Sequence, residues 1–133
     1  MTAEQQNCAR QCLDAAEADI MTFPQIVGTL MEAGFESYTV DFRRSSATYY
    51  LPSGESFELG IPADEVAVDP LFETGALQAA IREAQALAPG YTYKGFRRKA
   101  KSAGCAGYIV SFLGRRAVYF GRTAETHVEL FPQ

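Results

Sequence analysis

The sequence predicts an α+β protein of two tandem ααβββ repeats, and three observations carry that reading. Residues Thr22–Pro62 laid on Thr92–Pro132 without a gap share Thr22/Thr92, Ala33/Ala103, Gly34/Gly104, Tyr38/Tyr108, Val40/Val110, Phe42/Phe112, Tyr49/Tyr119, Glu55/Glu125 and Pro62/Pro132. Unrelated stretches of this length and composition would share about two or three. Each copy reads as a helix closed by a glycine and followed by three strands, with connections so short that the strands form an antiparallel meander. One such half would leave an apolar sheet face uncovered, so twin halves related by a pseudo-twofold are expected to pack into one compact domain. Its parts are repeat one at about 3–62, a crossover at 62–74 and repeat two at about 75–132.

The elements follow in order. A first helix is expected from Ala3 to Ala16. Thr22 with Gln25 makes a capping box, Pro24 falls in the first turn, and Phe23, Ile26, Val27, Leu30 and Met31 keep one apolar helical face. Gly34 stops that helix, because glycine takes the left-handed conformation at little cost. Tyr38, Val40 and Phe42 alternate as a strand. A turn at Ser45–Ser46, a strand at Ala47–Leu51, a Pro52–Ser53–Gly54 turn and a strand at Glu55–Ile61 complete the copy. The stretch Pro62–Thr74 holds two prolines and reads as a crossover; Ala76–Leu87 has helical spacing. The second copy repeats the plan with Tyr93, Phe96 and Ala100 on the helix, a stop at Gly104, and strands around Tyr108–Phe112, Ala117–Gly121 and Glu125–Phe131.

Composition narrows the class. A chain of 133 residues, 47% hydrophobic, supplies a core without a metal or disulfide staple. No apolar run reaches the roughly 18 residues of a membrane span. The opening MTAEQQNCARQ lacks a basic segment followed by an apolar one, and three cysteines make no disulfide framework, so a cytoplasmic protein is expected. The net charge of −4 divides into −9 over residues 1–70 and +5 over residues 71–133. Such asymmetry fits either an anionic partner for the basic half or two halves facing each other.

FPQIVGTLMEAGFESYTVDFRR with YYLPSGE, and AGCAGYIVSFLGRRAVYFGR with HVELFP, resemble the YbcV-like family of short bacterial and prophage-encoded proteins. The resemblance covers nearly the whole chain. It implies a protein of unknown function, sometimes labelled a phage envelope protein, and brings no catalytic residues with it. The family pattern has Asp-Gly in the last turn where this chain has Thr123–Ala124.

Candidate chemistry centres on the last strand. Phe57, Leu59 and Ile61 form one apolar face in the first copy, and their counterparts are His127, Glu129 and Phe131. Either this strand slips by one residue and turns Val128 and Leu130 inward, or the sole histidine and a carboxylate occupy a site that the twin fills with hydrocarbon. One histidine and scattered acids make a poor metal set, so no metal and no cofactor are expected. Cys8 and Cys12, four apart on a helix, read as core, as does Cys105. Lys94, Arg97, Arg98, Lys99 and Lys101 crowd one helix, while Arg115, Arg116 and Arg122 lie at strand turns. Tyr49 and Tyr119 hold matched positions and read as packing.

The functional expectation is a non-enzymatic binding or interaction module whose surface lies on the second copy, with Arg115, Arg116, Tyr119 and Arg122 as ligand-binding candidates. Its partner would be a protein or a small anionic ligand, with no membrane, and the chain a monomer or homodimer. One alternative is a ligand-binding protein or small enzyme with a pocket between the copies, using His127 as acid/base and Glu129 to orient it. A second is weak nucleic-acid binding through the basic helix.

Overall fold

The computed structural model describes residues 1–132 of the chain. Helices α1 (Ala3–Glu17) and α2 (Phe23–Glu32) precede strands β1 (Ser37–Asp41), β2 (Ser46–Tyr50) and β3 (Ser56–Gly60). Helices α3 (Thr74–Ala86) and α4 (Tyr93–Ser102) precede β4 (Cys105–Ser111), β5 (Arg116–Gly121) and β6 (Thr126–Leu130). The expected elements are all present, with ends displaced by one to three residues; α3 starts at Thr74 rather than Ala76, and β4 at Cys105 rather than Tyr108.

Local chemistry sets the boundaries. Thr2 and Thr22 each accept from the backbone of a glutamine three residues on, and that glutamine side chain accepts from the threonine N–H, so both boxes close. Thr92 caps α4 through the Gly95 N–H, without the return bond that a glutamine would make. Gly34 and Gly104 close α2 and α4 at φ 102° and 87°.

All six strands join one antiparallel sheet in the order β3-β2-β1-β4-β5-β6, so β1 and β4 meet at its centre. The register runs two unbroken rows across the sheet on one face. One is Phe57, Tyr49, Tyr38, Val110, Ala117, Glu129, and the next is Leu59, Ala47, Val40, Tyr108, Tyr119, His127. Ala47 and Ala117 are identical at the 70-residue offset too.

The helices cover this face. Arg10 of α1 lies over Phe57, Phe23 of α2 packs edge-on against Phe131, Phe96 of α4 packs against Tyr119, and α3 lies against α4. The Phe23–Phe131 contact sets the start of α2 against the end of β6, so a helix from the first half of the chain helps cover strands of the second. Leu30, Leu77, Val110, Cys12 and Cys105 are the largest fully buried side chains.

The crossover is strapped down. Asp69 and Glu73 donate their N–H groups to the Lys101 and Ala103 carbonyls at the end of α4. It presses on the second half so closely that a Cβ on Gly104 would stand 1.9 Å from the Leu71 carbonyl oxygen.

Candidate functional site

The last strand does not slip. Tyr119 opposes His127 as Tyr49 opposes Phe57, and Ala117 opposes Glu129 as Ala47 opposes Leu59. His127 and Glu129 therefore point to the helix-covered face, at the sheet's edge. Their side chains retain 14% and 26% exposure, and His127 Nε2 lies 2.8 Å from Glu129 Oε1. Tyr119 beside them has its phenol held well above its ordinary value by burial, then by Cys105, Tyr93 and Glu129. Chemically the pair is a histidine held in one orientation by a carboxylate, the arrangement that positions a general base. Two open grooves of about 550 and 590 Å³ lie elsewhere, one between the end of α1, Gly60–Pro62 and Lys94, the other between α3 and α4; His127 and Glu129 line neither.

The arginine candidates do not converge. Arg115 lies over the Phe131 ring and donates to the Pro132 carbonyl, near the end of β6. Arg116 starts β5, with its side chain on the face opposite His127, and donates to the Gly114 carbonyl. Arg122 stands beyond the other end of β5 and donates to the Val68 carbonyl of the crossover. Five residues of extended chain, about 17 Å, separate Arg116 from the end of its strand, so no shared anion site forms from these three.

Most of the basic charge on α4 is taken up internally. Arg97 and Lys101 are buried. Arg97 donates to Glu17 of α1 at 2.5 Å and to Asp64 of the crossover at 3.4 Å, and Lys101 donates to Asp64 at 3.1 Å. Arg98 pairs with Glu65 and Lys99 with Glu83. Burial raises the Asp64 carboxyl, but the Val66 N–H and Lys101 outweigh it and hold the group below its ordinary value. Glu17 Oε2 is the one buried side-chain oxygen without a partner among the described residues. Arg97, Arg98 and Lys101 thus pair with acids of residues 1–70, while the Lys99–Glu83 pair lies within residues 71–133.

Other reactive groups are held in their neutral forms. Burial and the neighbouring Cys8 push the Cys12 thiol up to about 12, and burial pushes Cys105 up to about 11. Burial likewise raises the phenols of Tyr38, Tyr49, Tyr93 and Tyr108, the last two sharing a 2.7 Å hydrogen bond. Among the described residues no group of three His, Cys, Asp or Glu side chains is arranged to hold a metal ion. Among them, no helix is long and apolar enough to cross a membrane.

What the sequence reading passes over is the opposite face of the sheet. There Ile109 opposes Val118, and Val118 opposes Val128, in a direct cross-strand row. Ile109, Val128 and Leu130 are 42%, 44% and 63% exposed. The matching row of the first half is Thr39, Thr48 and Glu58. The signal was present: β4 and β5 are apolar at both parities, whereas β1 and β3 alternate.

Comparison with known proteins adds relatives without adding an activity. Uncharacterised proteins of Mycobacterium bovis and of two strains of Mycobacterium tuberculosis are 33% identical to this chain over 109 residues, which is 80% of this chain. The chain spans 65% of the length of these relatives, just under two thirds. No family model matches it.

Proposed function

We propose that this chain is a non-enzymatic interaction module that works through the uncovered face of β4, β5 and β6. The single observation that carries the reading is the apolar row of exposed Ile109, half-buried Val118 and exposed Val128, with exposed Leu130 beside it. A soluble domain seldom leaves contiguous apolar side chains on a flat sheet face unless something covers them. The same surface on the first half is lined by Thr39, Thr48 and Glu58, so the apolar character belongs to one half and is not a demand of the fold.

The architecture behind this reading is a tandem repeat with a pseudo-twofold between β1 and β4, folded as one compact domain. Its support is the constant 70-residue offset: Phe131 donates its N–H to Arg115 as Ile61 does to Ser45, and Gly121 bonds with Glu125 as Leu51 does with Glu55. Membership of the YbcV-like family rests on the sequence motifs quoted above. The alternative, a ligand site built on His127 and Glu129, is favoured by their inward placement where the twin positions hold Phe57 and Leu59. Against it, each polar group already satisfies the other.

A photo-crosslinking amino acid placed at Ile109 and, as a control, at exposed Arg82 of α3 tests the proposal in living cells. The expected result is an adduct of discrete mass from position 109 and none from position 82. No adduct at 109, or equal smears at both, would remove the uncovered face as an interaction surface.

A further inference from the structure

We infer that the occupant of this uncovered face is a second copy of the chain, packed face to face with the two halves exchanged; this rests on the interaction reading above. The register lays the face out in three rows. From β3 to β6 they read Gly60, Ser46, Asp41, Gly107, Phe120, Thr126; then Glu58, Thr48, Thr39, Ile109, Val118, Val128; then Ser56, Tyr50, Ser37, Ser111, Arg116, Leu130. The β1–β3 half of this face is polar and carries Asp41 and Glu58, with Glu58 held in an exposed pair with Arg44 at 3.2 Å that an incoming arginine would share. The β4–β6 half is apolar and basic, carrying Arg116. One face therefore holds both members of a complementary pair, which is what an isologous twofold contact requires.

Area decides how two copies meet. Strands about 4.8 Å apart, and about 17 Å long, give the three-stranded apolar half a footprint of roughly 240 Å² and the whole face roughly 490 Å². Apolar half against apolar half would bury about as little as a crystal-packing contact, while the whole face approaches the roughly 1,000 Å² total that a specific interface needs. Charge decides the same way. A twofold axis across the strands sets Glu58 against Glu58. An axis along the strands, between β1 and β4, lays Ile109 over the partner copy's threonine at 39, Val118 over that at 48, Val128 over the stem of the glutamate at 58, and Arg116 over the tyrosine ring at 50, within side-chain reach of that glutamate's carboxylate. The Thr39 and Thr48 methyls give the valine and isoleucine apolar contact, and two symmetry-related Arg116–Glu58 pairs frame the interface.

Sedimentation equilibrium of the purified full chain tests this, with circular dichroism confirming that each variant stays folded. The wild type is expected to dimerise at micromolar concentration, and Ile109→Asp to be monomeric. Arg116→Glu and Glu58→Arg should each weaken the dimer about tenfold, and the double exchange should restore it. A folded wild type that stays monomeric at about 0.5 mM overturns the inference, as does a dimer indifferent to Ile109→Asp or a charge exchange that fails to rescue. A monomer whose position 109 still gives a crosslinked adduct in cells would assign the face to a different protein and leave the interaction reading standing. A monomer with no adduct removes both.

Discussion

At the scale of single residues, His127 and Glu129 are the polar exception on a face that is otherwise aromatic and aliphatic. The sequence alone left two orientations open, because strand parity fixes relative directions but not which parity faces the core. The register closes that question through the bonds of the neighbouring strand: Phe131 N–H meets the Arg115 carbonyl without a bulge. If the pair sits where Phe57 and Leu59 sit in the first half, hydrocarbon should fit there too. The double change His127→Phe and Glu129→Leu is expected to leave stability unchanged or raise it by about 1 kcal/mol, since replacing a partly buried polar pair by packed apolar groups is usually neutral or favourable. Urea denaturation reads this out, and a loss of more than about 1 kcal/mol would contradict the placement on a packed face. The roles of Arg115, Arg116 and Arg122 were beyond the sequence. Closeness along the chain brought them together on paper, whereas the length of β5 holds them apart.

At the scale of elements, helix starts and stops were the most legible features, because caps are local chemistry. Thr22, Gln25, Gly34, Thr92 and Gly104 mark ends that the structure keeps. What could not be read is how hard each stop is pressed. Gly34 has only the Gln5 side-chain nitrogen 3.3 Å from a built Cβ, while Gly104 has the Leu71 backbone against it. Gly34→Ala is therefore expected to cost about 1–2 kcal/mol, the left-handed penalty alone. Gly104→Ala should cost more than about 4 kcal/mol, because the crossover must also move. Equal losses in thermal or urea unfolding would contradict the strapped crossover. The basic run on α4 shows the same limit. Its charges were visible in the sequence, but their partners Glu17, Asp64, Glu65 and Glu83 come from α1, the crossover and α3.

At the scale of the whole molecule, the α+β class and the antiparallel strands were legible from helical spacing, short connections and turn residues, whereas the β1–β4 seam that joins all six strands in one sheet was not. The uncovered face was not, because a second apolar parity in a strand reads equally as core or as surface until the helices are placed. The two halves of the chain depend on each other. β1 pairs with β4, Phe23 of the first half packs on Phe131 of the second, and Arg97 and Lys101 are neutralised by Glu17 and Asp64. A half taken away would lose strand pairing, apolar cover and counter-charges together. The most direct measurement is urea unfolding of the full chain followed by amide signals in β2 and in β5, one strand from each half. A single transition with coincident midpoints is expected. Two separated transitions, with one half still protected after the other has unfolded, would contradict it.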